Sequence, residues 1–450
     1  MVPARVSITD SKYGGPILLN PGGPGGSGVS FVAGAGKAIQ TLVDSPEDPT
    51  NCTDGNNVAR YYDIIGFDPR GIGWTFPNAH CFDSPSERIT WNLRVLTEGN
   101  LDSSDAALGR LWSMRQAFGS GCYWGMESGS DIKEFITTAS VARDMVELIE
   151  ALGRYRQREA KALLSVDAAA SSKGVDLSAY SKLIHVPGEE KLQYWGFSYG
   201  THLGSTFASM FPNRVGRMIL DGVVNAENYN KMLWSDNLHD TEKVMQHFYD
   251  SCAAAPGNCA LAETRSTPDD IKIKVESIWK DLYHNPMPVG PHIGFPEVLT
   301  YSDVRAVVFS ALYFPLATFR FIAVMLAAID RRDISGFADI LHIMKSCGCQ
   351  LFCNPTKPNP INDGESTFSI MCGDGDPQDK VNITYFDENH LQKLEQVSPT
   401  GGAVWASLRL NCIGWKIRPP YRYNQSYGGN TSHPILWIGN TADPVTPIVS

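Results

Sequence analysis

Gly196-Phe197-Ser198-Tyr199-Gly200 follows the apolar, aromatic run Leu192-Gln193-Tyr194-Trp195 and precedes a helix-like run from Thr201 to Phe211. The five residues read Gly-x-Ser-x-Gly, in the order strand, sharp turn, helix. Such a turn lifts a serine above the edge of a sheet, at the positive end of a helix. A side chain at 196 or 200 would collide with neighbouring backbone, which is why both positions carry glycine.

Other strands lie to either side. Gly15 to Asn20 reads as a short buried strand running into the glycine-dense loop Pro21 to Gly28. Tyr61 to Phe67 is a second strand, ending in the turn Asp68-Pro69-Arg70-Gly71-Ile72-Gly73. Thr138 to Leu152 reads as an amphipathic helix with Val141, Met145, Leu148 and Leu152 on one face. Residues 153–190 are polar and read as an exposed insertion. Arg217 to Val224 and Pro434 to Gly439 are further strands. Alternating strands and helices imply a mainly parallel sheet with helices on both faces. The expected division is a first core part (1–225), a mainly helical lid (226–410) over the C-terminal edge of the sheet, and a return to the core (411–450).

Bulk properties narrow the class. The chain has 450 residues, is 43% hydrophobic and 19% charged, and carries a net charge of −10, which disfavours a nucleic-acid partner. Ten cysteines and the sequons at Asn51, Asn382, Asn424 and Asn430 favour a secreted, disulfide-bonded glycoprotein. No apolar stretch follows Met1 to Arg5, so a signal peptide is not in this sequence. Cys347, Cys349 and Cys353 lack the second Cys or His pair of a zinc site, and disulfides are expected instead. Ala311 to Ala328 is interrupted by Pro315 and Arg320, so it reads as a buried helix pair and not a membrane span.

A serine hydroxyl needs a base, a carboxylate to orient that base, and donors for the oxyanion it creates. The loop 21–28 offers the Gly23 N–H, and the turn offers the N–H of Tyr199. A phosphate-cradling reading of this loop fails: no Lys-Ser/Thr closes it, and no ribose-binding acid follows a second strand. This chemistry calls for no metal or cofactor.

Four segments resemble a known family. Asn20 to Gly28, Asp68 to Gly73, Trp195 to Thr201, and Asp443-Pro444-Val445-Thr446-Pro447 with Cys412-Ile413-Gly414-Trp415 before it are similar to the secreted α/β-hydrolases of the prolyl aminopeptidase and tripeptidyl aminopeptidase-like serine peptidases. The resemblance implies an α/β-hydrolase fold with an inserted helical lid. It also implies Ser198 as nucleophile, Asp443 as orienting acid, and release of residues or short peptides from free N-termini. Asp68 is expected to pair with Arg70 or to cap its turn. No histidine lies between Asp443 and Ser450, and the glycine-dense loop already begins by residue 20, so beside the family both ends of the core read as trimmed, and the resemblance places the base a few tens of residues further on. His433 is expected at the wrong end of the sheet, and His202 as a buried, hydrogen-bonded histidine; His80, His185, His239 and His247 have no motif support. Glu227, Asp240 and Glu242 are candidates to bind a substrate ammonium, with Tyr229, Trp234 and Phe248 as pocket wall or lid packing. Three functions stay open: a serine exopeptidase, an ester or amide hydrolase of small molecules, and a non-catalytic relative.

Overall fold

The computed structural model describes residues 1–50, 59–124, 126, 129–170, 183–289, 296–342, 345 and 363–448. Five strands form one parallel sheet: β1 (Tyr13–Asn20), β2 (Tyr61–Gly66), β3 (Leu192–Phe197), β4 (Val215–Asp221) and, last in the chain, Ile435–Ile438. Their order across the sheet is β2, β1, β3, β4, then 435–438. All the expected strands are present. Phe197, Asp221 and Ile438 stand in register, so the loops after three neighbouring strands emerge side by side.

Helices cover both faces. Helix α1 (Gly28–Val43) packs on the β1–β2 side, burying Val32 and Ile39 against Leu19, Tyr62 and Ile64. Helix α2 (Thr138–Ala170) packs against α3 (Tyr199–Met210) on the other face, where Met145, Leu203 and Phe207 are fully buried with Tyr194 and Leu220. Two expectations for α2 change. Its buried line is Val141, Met145 and Ile149, whereas Leu148 and Leu152 are half-buried. The helix also continues through residue 170, into the stretch read as an insertion. Near its middle it is fastened by the Arg156–Glu190 pair and by His185 lying between Glu150 and Glu190.

The mainly helical stretch between β4 and strand 435–438, expected as a lid, has its own apolar core. Val244 and Phe248 from Thr241–Ala254 meet Val275 and Ile278 from Pro268–His284 and Leu326 from Pro315–Asp330. Leu111 and Trp112, from the earlier helix Ala107–Tyr123, join that same core. The stretch from Ala311 breaks at 312–314, and Pro315 opens the second helix of the expected pair. Pro315 suits that place because the first turn needs no donor there. Disulfides join Cys81 to Cys122, Cys252 to Cys259 and Cys372 to Cys412. Asn51, Cys52, Cys347, Cys349 and Cys353 lie outside the described residues. Among the described residues, no helix is long and apolar enough to cross a membrane.

Candidate active site

Ser198 sits directly after β3 with φ 53° and ψ −123°, a backbone conformation that costs a non-glycine residue free energy. Two glycines make room for it. A Cβ on Gly196 would lie 2.3 Å from the Gly200 carbonyl oxygen, and one on Gly200 would lie 2.7 Å from that of Asn20. The turn is tied to the sheet by the Ser198 N–H donating to Asp221 O at 3.0 Å. Thr201 closes it, its N–H and hydroxyl both donating to Ser198 O, at 2.8 and 2.7 Å.

The loop after β1 lies against this turn. Asn20 is buried, and its Oδ1 accepts from the Gly22 N–H at 2.9 Å. A Cβ on Gly22 would stand 2.4 Å from Phe197 O and 3.0 Å from Tyr199 N. Gly22 therefore brings its neighbour Gly23 beside the start of α3. Among the described residues, neither the Gly23 nor the Tyr199 N–H has an acceptor. Two donors left over on adjoining backbone are what a developing oxyanion requires.

Asp68 secures the far end of this loop. Its carboxylate accepts from Ser27 Oγ (2.7 Å), Val29 N (3.1 Å) and Trp74 N (2.9 Å). The capping alternative therefore holds and the pairing with Arg70 does not. Arg70 instead forks onto Asp144 of α2 and donates to Phe135 O at 3.1 Å.

Asp443 lies in the loop after strand 435–438. Its Oδ1 accepts from the N–H groups of Val445 (3.0 Å) and Thr446 (2.8 Å). A Cβ on Gly222 would lie 2.9 Å from Thr446 Oγ1 and 3.8 Å from Ser198 N, so only the width of Gly222 separates this loop from the turn. Asp221, at the end of β4, has its carboxyl raised above the usual range, chiefly by burial and further by the Asp443 charge. The lid is stitched to the same loop. Asn237 Nδ2 donates to Val445 O and Thr241 Oγ1 to Pro444 O, both at 2.7 Å, and Lys243 donates to Thr441 O.

Among the described residues, no histidine is hydrogen-bonded to Ser198 or Asp443. His433 Nδ1 lies 3.0 Å from Val215 O, at the opposite sheet edge. His202 is buried as expected, but its Nδ1 has no hydrogen-bond partner; it lies among the rings of Tyr199, Tyr229 and Tyr427. Burial pulls it down to about 3. His185 is held by two glutamates, and His239 and His247 are exposed.

The three candidate ammonium ligands separate. Glu242 is engaged by Ser398 Oγ (2.7 Å) and Thr400 N (2.8 Å), and Glu227 is exposed beside Lys231. Asp240 has no side-chain partner among the described residues and immediately precedes Thr241, which binds the Asp443 loop. Tyr229, Trp234 and Phe248 are all buried in packing, the first two in contact with each other.

Sequence reasoning missed the lid helix Asp363–Asp374. Thr367 Oγ1 donates to Pro24 O at 2.7 Å, and Ser366 Oγ to Gly71 O at 2.6 Å. At its end the buried Asp374 accepts from Thr138 N (2.8 Å), Thr138 Oγ1 (2.6 Å) and Tyr229 Oη (3.3 Å). Thr138 Oγ1 also meets Tyr199 Oη. One helix thus bonds Pro24, the neighbour of Gly23, and reaches the Tyr199 side chain through Thr138. Thr367→Val should release the Pro24 carbonyl, lowering kcat about tenfold, or ~1.4 kcal/mol, with little change in KM or unfolding midpoint. Thr367→Ser should restore the rate; a KM effect alone would argue against this role.

Residues 398–450 match the family described as TAP-like protein. The chain is 26% identical to the tripeptidyl aminopeptidase of Streptomyces lividans over 98% of its own length and 67% of that protein. It is 25% identical to the serine protease Hip1 of Mycobacterium tuberculosis, over 98% of this chain and 72% of that one. A shorter match, 31% identical over 31% of this chain and 23% of the relative, is to Carboxylesterase B of Mycobacterium tuberculosis. With the parallel sheet and its helices, these matches define an α/β-hydrolase of the serine hydrolase class. Within that class, the chain is a relative of the tripeptidyl aminopeptidase-like enzymes, and the similarity runs through almost all of it.

Proposed function

We propose that this chain is a secreted serine exopeptidase that removes residues or short peptides from free N-termini. Ser198 Oγ attacks the scissile carbonyl, the Gly23 and Tyr199 N–H groups bind the oxyanion, and collapse breaks the C–N bond, the amine leaving with a proton. Water then hydrolyses the acyl-serine and regenerates the hydroxyl. Asp443 is the carboxylate that orients the base. The base itself is not assigned to any histidine among the described residues. The observation that carries the reading is the strained serine with two N–H groups without acceptors on the adjoining backbone. Asp240 is the group we assign to the substrate ammonium, because its carboxylate is unengaged and its neighbour is fastened to the Asp443 loop. Three disulfides and the exposed sequon residues Asn382, Asn424 and Asn430 support secretion.

The test compares aminoacyl, dipeptidyl and tripeptidyl chromogenic amides with their N-acetylated forms and with simple esters. N-acetylation should lower kcat/KM on the order of 100-fold, because it leaves the paired acid without its cation. Asp240→Asn should abolish that discrimination. Equal turnover of blocked and free substrates, or a preference for simple esters, would instead support the small-molecule hydrolase that the partial Carboxylesterase B match brings to mind.

A further inference from the structure

A cavity of about 410 Å³ opens at the N-terminal edge of the sheet, opposite Ser198. Its wall includes four cationic side chains from four separate segments. Arg60 precedes β2, Arg156 comes from α2, Lys191 precedes β3, and Arg217 lies early in β4. One carboxylate lines it, Glu190, and Arg156 already holds both of its oxygens, at 2.9 and 3.1 Å. The wall therefore carries a formal charge of +3 from these five groups, on a chain whose net charge is −10. Like charges gathered around one concavity repel, and that cost recedes only when an anion sits among them.

The donors are largely unused. Arg217 gives one N–H to Tyr62 Oη, and Arg60 uses Nη1 on Ser11 O (3.3 Å) and Ala59 O (3.0 Å). The remaining guanidinium N–H groups of both, and the Lys191 ammonium, have no partner among the described residues. His433 also lines the wall, its Nδ1 turned to Val215 O, which leaves Nε2 free. Forked guanidiniums around a cavity of this size suit a small molecule bearing a multiply charged oxyanion.

We propose that this cavity binds a small polyanion, a phosphate ester or a polycarboxylate, at a site separate from the hydrolytic one. The site does not depend on the assignment of Ser198. The experiment titrates the chain with inorganic phosphate, pyrophosphate and citrate at constant ionic strength, following heat and melting temperature. Saturable binding is expected for at least one of the three, and which one saturates separates phosphate from carboxylate chemistry. The double variant Lys191→Ala/Arg217→Ala removes two exposed side chains. It should melt as wild type does in chloride and bind at least about tenfold more weakly. The Arg60→Ala variant tests the wall from another segment. Absence of saturable binding at millimolar anion, or unchanged affinity in the double variant, would overturn the proposal.

Discussion

The Ser198→Ala chain is expected to lose all labelling by a fluorophosphonate probe, and on the order of 10⁴ to 10⁶ in kcat. Position 198 holds φ 53° although it is not glycine, and the surrounding contacts force that conformation through Gly196, Gly200 and the bond from its N–H to Asp221 O. Alanine keeps the backbone cost and removes only the hydroxyl, so its unfolding midpoint should match wild type. Ser198→Gly removes the cost as well. It should be equally inactive yet more stable by about 1 kcal/mol, since glycine adopts positive φ freely. Activity and stability moving in opposite directions at one residue would mark a site where strain is kept for function. Labelling that persists in Ser198→Ala would remove Ser198 from the mechanism, and a Ser198→Gly chain less stable than wild type would remove the strain at this position.

The turn was legible because its requirements are local. Two glycines and a serine within five residues report a steric condition that the structure reproduces atom by atom at Gly200 and Asn20. The loop at Gly22 and Gly23 was legible for the same reason. Asp374 and Thr367 were not, because their partners lie hundreds of residues away. Thr367 reaches Pro24, and Asp374 reaches Thr138, with no local pattern to announce either. Glu242 shows the converse: as an acid in the lid it looked available, and only the fold reveals that Ser398 and Thr400 engage it. The end of α2 is hard to read from the sequence because its residues are polar on every face. Arg154 to Lys161 is rich in arginine, glutamine, glutamate and alanine, all good helix formers, so the helix runs on without an apolar stripe.

Three buried groups with large shifts should contribute to the change of stability with pH. Asp374 lies beneath Tyr199 and Tyr229, with Arg422 donating to its main-chain carbonyl, and burial pushes its carboxyl from 3.8 up to about 7. His202, among three tyrosine rings, is pulled from 6.5 down to about 3 by burial. His390 follows it to about 3, by burial and then by the Arg409 charge. Between roughly pH 4 and 6.5 the unfolded chain holds two histidine protons that the folded chain lacks, and the folded chain holds one carboxyl proton that the unfolded chain lacks. The difference is one proton, so these groups make stability fall by about 1.4 kcal/mol per unit as pH drops through that window. Asp374→Asn removes the opposing term. The contribution of the two histidines is then unopposed, and stability relative to wild type should rise by roughly 4 kcal/mol from pH 4 to pH 8. The sign follows from the raised carboxyl, whose penalty grows as pH climbs from 3.8 and is complete above 7. His390→Gln should act the other way, gaining on wild type as pH falls from 6.5 towards 3. Urea midpoints of the three chains across this range decide the matter. A constant difference between Asp374→Asn and wild type would mean that Asp374 is ionised in the folded protein. The lid helix would then carry a buried charge beside Tyr199, not the neutral acid that hydrogen-bonds the candidate active site into place.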